Sequence, residues 1–232
     1  MENQAEQKDK LNHVAVILDG NRRFAKNKGH MLWKGHDSGA ETFENFLKWC
    51  KELEIKEVTA YILSTENLKR EPEELNHLFN LFKKWFEKFE NHKEIEKNKI
   101  KIKFIGDLSL VPADIKKMAE DLQEKTKKYN ERILNFCFAY GGRLEITQAV
   151  NKLLKEGKKS VTEADITKAL WLSNEPQLII RTGNTIRTSN FLPWQSAYSE
   201  WVFLDKMWPE FTKEDLIQCI EDFKARKRSF GK

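Results

Sequence analysis

The sequence predicts a single α/β domain with a mostly parallel central sheet of about six strands flanked by helices. Short apolar runs alternate with segments of helical periodicity, and each apolar run ends in a polar loop. No internal repeat and no linker rich in proline and glycine divides the chain. With 232 residues, 40% hydrophobic and 33% charged, the chain is long enough for one sizeable core.

The first predicted strand carries the clearest signal. Five consecutive apolar residues, residues 14–18, are typical of a strand buried on both faces, as found in parallel sheets. Further apolar runs predict strands at residues 58–63, 100–105, 133–139, 178–180 and 201–204. The segments between them carry helical patterns, as the crossover connections of a parallel sheet require.

The composition limits the environment and the partners. Residues 1–10 are polar and charged without the apolar core of a signal peptide, so we expect a loose tail before a folded domain at residues 11–232. No run is long enough to cross a membrane, and the three cysteines show no CxxC spacing, which favours a cytoplasmic protein without a zinc site. The net charge of +5 is too mild to indicate nucleic-acid binding.

Polar side chains follow the predicted strands. Asp19 ends the first strand, and Gly20, Asn21 and two arginines follow it into a helix. Ligands of open parallel sheets bind outside the carboxyl ends of the strands, where this chain also places Arg22, Arg23, Asn67, Arg70, Arg181, Arg187 and Ser189. Any one of these arginines could equally be a solvated surface charge. Together they would repel one another without an anion, so the set predicts a phosphorylated ligand, with Asp19 suited to a magnesium ion.

The common phosphate-binding motifs are missing from the sequence. It contains neither GxxxxGK[ST] nor GxGxxG, which argues against the usual nucleotide-binding loops. It also contains no Asp-Asp pair, which argues against the aspartate-rich magnesium clusters of trans-type prenyl synthases.

Several blocks of sequence resemble the cis-prenyltransferases, the family whose bacterial type is undecaprenyl diphosphate synthase. The resemblance runs in order from about His13 to Gly231 and rests on HVAVILDGNRRFAKNKG, YILSTENLKRE, KFIGD, NFCFAYGGR, IIRTGNTIRTSNFLPWQSAYSE and MWPEF. It implies that residues 11–232 form a cis-prenyltransferase catalytic domain. It further implies a homodimer and a hydrophobic tunnel for the growing chain.

The resemblance also implies a reaction. Isopentenyl diphosphate would be condensed onto an allylic diphosphate, expected to be farnesyl diphosphate, with Mg²⁺ as cofactor. The product would be a Z-polyprenyl diphosphate such as undecaprenyl diphosphate, the precursor of the lipid carrier for cell-wall glycans. The alternatives are a shorter-chain cis-prenyl diphosphate synthase and a non-catalytic partner subunit of the same fold. A nucleic-acid-binding domain is a more distant one.

The family's site residues carry over to matching positions of this chain. Asp19 and Glu200 correspond to the magnesium carboxylates, with Glu200 reaching the site across the dimer, and Asn67 corresponds to the proton acceptor. As a neutral amide is a weak base, we expect Asn67 to orient the substrate while diphosphate or water takes the proton. The matching substrate-binding positions are Gly20, Asn21, Arg22, Arg23, Phe24, His36, Ser64, Thr65, Glu66, Leu68, Arg70, Arg181, Arg187, Thr188 and Ser189.

Two features outside these motifs have a plain and a functional interpretation. An aromatic-rich helical stripe is more often simple core, although part of it would line the tunnel in this family: Leu75, Leu78, Phe79, Phe82, Trp85, Phe86 and Phe89. The basic run at residues 224–228 is more typical of a solvated helix end than of a membrane anchor, which leaves at most peripheral membrane contact for product release.

The chain departs from the family pattern at several positions. Leu32 stands where an arginine is usual, Gln177 replaces an aspartate, and Asn184 replaces the second glycine of the usual RTGG. These departures leave Asp19, Asn67, Arg187 and Glu200 in place, so we keep the prediction of an enzyme.

Overall fold

The computed structural model describes residues 10–226 of the chain, so most of the expected N-terminal tail and the end of the basic run lie outside the described residues. The strands are β1 (His13–Ile17), β2 (Glu57–Ser64), β3 (Ile100–Ile105), β4 (Arg132–Tyr140), β5 (Leu178–Arg181) and β6 (Glu200–Phe203). The helices are α1 (Asn21–Asn27), α2 (Leu32–Glu52), α3 (Pro72–Glu90), α4 (Lys93–Lys97), α5 (Ala113–Thr126), α6 (Gly142–Lys155), α7 (Glu163–Ala169) and α8 (Lys213–Ala225). Each predicted strand is present, with its bounds shifted by about one residue.

The six strands form one sheet in the order β3-β4-β2-β1-β5-β6. The pairs β1–β5, β5–β6 and β3–β4 are parallel. The prediction of a single α/β domain on a six-stranded parallel sheet flanked by helices is therefore confirmed. One connection differs from the expectation, because the described segment between β5 and β6 contains no helix.

By proximity of their Cα atoms, the described residues group into two compact units. Unit 1 comprises residues 10–59, 176–186 and 198–226, and unit 2 comprises residues 60–175 and 187–197. The core of unit 1 contains the fully buried residues of β1 and β5, which explains why both strands read as continuous apolar runs. An aromatic cluster anchors α2 there, where Phe46 lies edge-on to Trp208 with ring centroids 5.6 Å apart.

Unit 2 buries the aromatic stripe of α3 against β3 and β4. The Phe86 ring is 4.9 Å from that of Phe104 and 5.8 Å from that of Phe138, both edge-on. Phe82 lies 5.0 Å from Phe138 in the same arrangement. These contacts confirm the core interpretation for the inner part of the stripe. Leu75, Trp85 and Phe89 remain partly exposed.

Candidate functional site

The two neighbouring strands β1 and β5 end in a pair of opposite charges. After β1 the chain continues to β2 on one side of this pair, and after β5 it continues to β6 on the other side. The carboxyl ends of β1 and β5 therefore form a topological switch point, which is the usual ligand position of open α/β sheets. Arg181 Nη2 donates a hydrogen bond to Asp19 Oδ2 at 2.8 Å, and Arg23 Nη2 donates to Asp19 Oδ1 at 3.1 Å. The Arg181 side chain is only 4% exposed, so its charge depends on close partners such as the partly exposed Asp19.

Two glycines allow the backbone to pass closely around Asp19. Gly20 has φ +107°, and a Cβ there would lie 2.9 Å from Met207 Cα. Gly183 has φ +87°, and a Cβ added there would lie 2.7 Å from Arg23 Nη2. The Asp19 carbonyl accepts hydrogen bonds from the Thr182 hydroxyl at 2.7 Å and from the Trp208 N–H at 3.0 Å. The Asp19 turn is thus fixed from several sides before any ligand arrives.

Asn21 holds the same turn from within. Its Nδ2 donates to the Leu18 carbonyl at 2.9 Å, and its Oδ1 is buried with no hydrogen-bond partner among the described residues. Helix α2 approaches this side chain closely, because a Cβ on Gly39 would lie 2.2 Å from Asn21 Oδ1 and a Cβ on Gly35 1.9 Å from the Asn21 carbonyl oxygen. The GxxxG spacing of these two glycines in the sequence was a signal that our sequence reasoning missed.

The remaining predicted residues of unit 1 differ in exposure. Arg22 is exposed, His36 is partly exposed on α2, and Lys28 Nζ lies 5.8 Å above the partly exposed Phe24 ring. Glu200 begins β6 and forms an ion pair with Arg226 at 2.7 Å. Glu200 pairs with Leu178 at the start of β5, whereas Asp19 lies beyond the carboxyl end of β1. A single chain therefore does not bring Glu200 to Asp19.

Unit 2 holds the turn that carries Asn67. The Ser64 N–H donates to Asn67 Oδ1 at 3.0 Å, and the Asn67 N–H donates to Ser64 Oγ at 3.1 Å. This reciprocal pair of hydrogen bonds fixes the orientation of the Asn67 side-chain amide. The Asn67 Oδ1 atom is already occupied as the acceptor of the Ser64 N–H. Leu68 is partly exposed in the same turn, and Arg70 pairs with the buried Glu74 at 3.0 Å.

Unit 2 also contains the loop that follows the β5 segment. Arg187, Thr188 and Ser189 are exposed. The Tyr61 hydroxyl donates to the Ser189 carbonyl at 3.4 Å, and its ring stacks on Phe191 at 4.7 Å. The structure therefore brings Asp19, Arg23 and Arg181 into direct contact in unit 1, and Ser64 and Asn67 in unit 2. Residues that our sequence reasoning missed include Gly183, Met207 and Asn190.

The donor chemistry at Asp19 fits a magnesium ion that is shared with a phosphorylated substrate. No group of three or more His, Cys, Asp or Glu side chains that could hold a metal occurs in residues 10–226. Magnesium is usually held by one or two carboxylates together with substrate phosphates and water, without a full protein cage. Asp19 supplies one carboxylate beside two arginines that suit phosphate oxygens.

The sheet and its charged carboxyl edge define an α/β protein with the features of a phosphate-binding site. Residues 17–231 match the family described as "Putative undecaprenyl diphosphate synthase". The chain belongs to this family, the cis-prenyltransferases, as the sequence blocks predicted.

Curated relatives agree with this assignment. A Methanopyrus kandleri protein named tritrans,polycis-undecaprenyl-diphosphate synthase (geranylgeranyl-diphosphate specific) is 42% identical, over 95% of this chain and 84% of the relative. The isoprenyl transferase of Thermotoga maritima is also 42% identical, over 94% and 96%. The chain is therefore an enzyme that transfers prenyl groups and elongates cis-prenyl chains.

Solved structures share the fold. Lavandulyl diphosphate synthase from Lavandula x intermedia, in complex with dimethylallyl diphosphate, is 26% identical with a TM-score of 0.90, covering 97% of this chain and 100% of the other. A "probable undecaprenyl diphosphate synthase" from Campylobacter jejuni is 32% identical with a TM-score of 0.81, covering 96% and 99%.

Proposed function

We propose that this enzyme condenses isopentenyl diphosphate with an allylic diphosphate in a Mg²⁺-dependent reaction and builds a Z-polyprenyl diphosphate. The observation that carries the proposal is the Asp19 carboxylate held between Arg181 and Arg23 at the carboxyl ends of β1 and β5. Bound there, magnesium would neutralise negative charge on the departing diphosphate.

The residues around Asp19 are assigned to the allylic diphosphate. Gly20 gives the backbone the close approach that a side chain would block, and Arg22 and Arg23 supply guanidinium donors for phosphate oxygens. Asn21 acts by holding the turn, while His36 and Phe24 lie at partly exposed positions where they can meet substrate. Arg181, which the resemblance assigns with Arg187 and Ser189 to the isopentenyl diphosphate, also orients Asp19.

Arg187, Thr188 and Ser189 are assigned to the diphosphate of isopentenyl diphosphate. Their exposure leaves the guanidinium and hydroxyl groups accessible to a ligand. The turn with Ser64, Thr65, Glu66, Leu68 and Arg70 completes the substrate-binding set. Arg70 is held by the buried carboxylate of Glu74, which fixes its guanidinium direction.

The chemical step breaks the allylic C1–O bond and forms a bond between allylic C1 and C4 of the isopentenyl unit. A proton then leaves C2 of that unit as the new Z double bond forms, and an oxygen of the departed diphosphate or a water accepts it. Asn67 is assigned an orienting role, because its Oδ1 already accepts the Ser64 N–H and its Nδ2 group can donate to substrate.

The proposed assembly is a homodimer with composite sites, in which Glu200 of each chain serves the other. Exposed and partly exposed aromatic side chains near Glu200 support the proposed dimer, since aromatic residues are enriched at protein interfaces. Tyr198 is 67% exposed, and the partly exposed rings of Trp201 and Phe203 stack at 5.5 Å on the edge strand β6.

Two primers are candidates for the allylic substrate. The family resemblance implies farnesyl diphosphate, whereas the Methanopyrus kandleri relative is named as specific for geranylgeranyl diphosphate. We infer a long-chain product of the undecaprenyl type in either case, which would serve as a lipid-carrier precursor for glycan synthesis. The partly exposed Leu75, Trp85 and Phe89 of α3 are the proposed wall of its tunnel.

The proposed location is the cytoplasm, with peripheral membrane contact at most. Among the described helices, none combines the length and apolarity needed to cross a membrane.

The deciding assay uses radiolabelled isopentenyl diphosphate, Mg²⁺ and either farnesyl or geranylgeranyl diphosphate, followed by sizing of the products. Elongation from one primer identifies the substrate. A short product from either primer would favour the shorter-chain synthase. A lack of incorporation with every primer would overturn the proposal.

A further inference from the structure

The loop that carries Arg187 and Ser189 adopts a strained backbone. Ser189, Asn190 and Leu192 have φ angles of +49°, +61° and +49°. Non-glycine residues visit this left-handed region rarely, and such conformations persist only where the surrounding structure holds them. Contacts from elsewhere in unit 2 must therefore hold this loop.

Asn190 provides several of those contacts. Its carbonyl accepts the Gly142 N–H at 2.8 Å, and its Oδ1 accepts the Arg143 N–H at 2.9 Å. These two N–H groups open helix α6, whose preceding residue, Gly141, has no side chain that could cap them. Asn190 thus caps α6 from another part of the chain.

The glycine pair at the start of α6 makes room for this loop. A Cβ on Gly142 would lie 2.0 Å from Pro193 Cδ, and a Cβ on Gly141 would lie 3.0 Å from Asn190 Nδ2. Any side chain at Gly142 would push the loop away from the helix.

The third polar group of Asn190 reaches the turn that carries Asn67. Asn190 Nδ2 donates to Glu66 Oε1 at 3.3 Å, and the Thr65 hydroxyl donates to Glu66 Oε2 at 3.2 Å. Burial by itself would raise the pKa of Glu66, but hydrogen bonds from its own backbone N–H and from Ser64, Asn190 and Thr65 outweigh that effect and lower it. Glu66 is therefore an ionised acceptor at neutral pH.

We propose that Asn190 is a positioning residue that couples the Asn67 turn to the Arg187–Ser189 loop through Glu66 and the start of α6. The inference rests on the proposed function, in which this loop binds the diphosphate of isopentenyl diphosphate. Loss of the Asn190–Glu66 bond then weakens isopentenyl diphosphate binding and leaves allylic diphosphate binding at Asp19 unaffected.

The test exchanges donor and acceptor across this bond. Asn190→Asp keeps the side-chain shape and the acceptor for Arg143, but sets a carboxylate against Glu66. We expect the KM for isopentenyl diphosphate to rise about 10-fold or more, the scale of a lost hydrogen bond to a charged group, with the allylic KM within about twofold. Adding Glu66→Gln restores the bond in the opposite direction, so Asn190→Asp/Glu66→Gln should have a KM within about threefold of Glu66→Gln alone.

A second variant covers the case in which Asn190→Asp does not fold. Asn190→Gly adopts φ +61° without strain and keeps the carbonyl bond to Gly142, but it loses both side-chain bonds. It should raise the same KM. Calorimetric titration with isopentenyl diphosphate alone measures binding without turnover, and it should show the same loss of affinity for isopentenyl diphosphate.

The matched control is Asn98→Asp. Asn98 Nδ2 donates to Glu94 Oε2 at 2.8 Å, so the chemical change is the same. Asn98 precedes β3 at the amino ends of β3 and β4, whereas Asn190 contacts residues that follow the carboxyl end of β4. Both KM values should stay unchanged there. An unchanged isopentenyl KM in the Asn190 variants, an equal rise for both substrates, or no rescue by Glu66→Gln would overturn the inference. Inactive wild-type protein would instead overturn the proposed function.

Discussion

Glu200 lies level with Val14 across the sheet, whereas Asp19 lies beyond the opposite end of the same strand. Val14 pairs with Leu178, and Leu178 pairs with Glu200. Asp19 is five positions after Val14, which at about 3.3 Å per residue is about 16 Å along the strand. Magnesium–oxygen bonds are only about 2.1 Å long, so one chain cannot hold a single ion with both carboxylates.

This separation predicts complementation between two inactive variants. Asp19→Asn and Glu200→Gln should each be inactive alone. In a dimer that combines them, one site carries both defects and the other carries none, so mixing under conditions of subunit exchange should restore activity. Each variant taken alone through the same exchange protocol is the control. If mixed dimers are verified by mass and remain inactive, Glu200 does not cross to the partner.

A second prediction concerns the buried charge of Arg181. Asp19→Ala removes its carboxylate partner, so we expect a loss of about 2 kcal/mol in unfolding free energy, below the ~3–5 kcal/mol of a fully buried pair because the Asp19 side chain is 29% exposed. Turnover should fall at least about 100-fold. Urea denaturation and steady-state kinetics measure the two effects.

The control for that variant is Arg23→Ala, which removes the more exposed partner of Asp19. Exposed pairs contribute about 0–1 kcal/mol, so its stability should change little. Equal destabilisation by both variants would show that burial of Arg181 does not govern the cost.

A third prediction separates the two faces of α3. Phe86 is 1% exposed and packs on Phe82, Phe104 and Phe138, so Phe86→Ala should cost about 3–5 kcal/mol of stability. Trp85 is partly exposed, so Trp85→Ala should cost less and should change the length distribution of the product. Product sizing by chromatography tests the second effect, and an unchanged distribution would remove Trp85 from the proposed tunnel wall.

A fourth prediction concerns pH and helix α8. Burial alone would raise the pKa of Asp215, but hydrogen bonds from Lys206 and Thr212 outweigh it and lower that pKa below its ordinary value of 3.8. A carboxyl whose pKa is lower in the folded state stabilises the protein above its unfolded-state pKa, and this contribution is lost as pH falls through the folded-state value.

Asp215→Asn should therefore lower the melting temperature at about pH 7, and the difference from wild type should shrink towards about pH 3. Thermal unfolding monitored by circular dichroism at both pH values measures it. A difference that is the same at both would mean that the charge of Asp215 contributes nothing to stability.

The sheet was predictable from sequence because its strands are apolar or largely apolar segments that end in polar loops. Residues 14–18 and 178–180 are examples, and both strands are buried on two faces in the structure. The departures from the family pattern also have local explanations. Asn184 adopts φ +47°, which asparagine tolerates where the family uses glycine, and Gln177 Oε1 accepts the backbone N–H groups of Asn12 and His13 at 2.7 and 3.1 Å.

The supporting contacts of the site were not predictable in the same way. Glu145 is 1% exposed and accepts hydrogen bonds from Tyr140, Leu172 and Gln195. A buried carboxylate of this kind has no periodic signature, because its partners come from distant parts of the chain. The cap that Asn190 gives to α6 is invisible in sequence for the same reason.

The most direct test of the central claim is incorporation of isopentenyl diphosphate by the purified protein with Mg²⁺ and an allylic diphosphate. We predict elongation to a polyprenyl diphosphate whose added double bonds have Z geometry by NMR, and loss of that elongation in Asp19→Asn. Added double bonds of E geometry, or full activity in Asp19→Asn at saturating magnesium, would contradict the account.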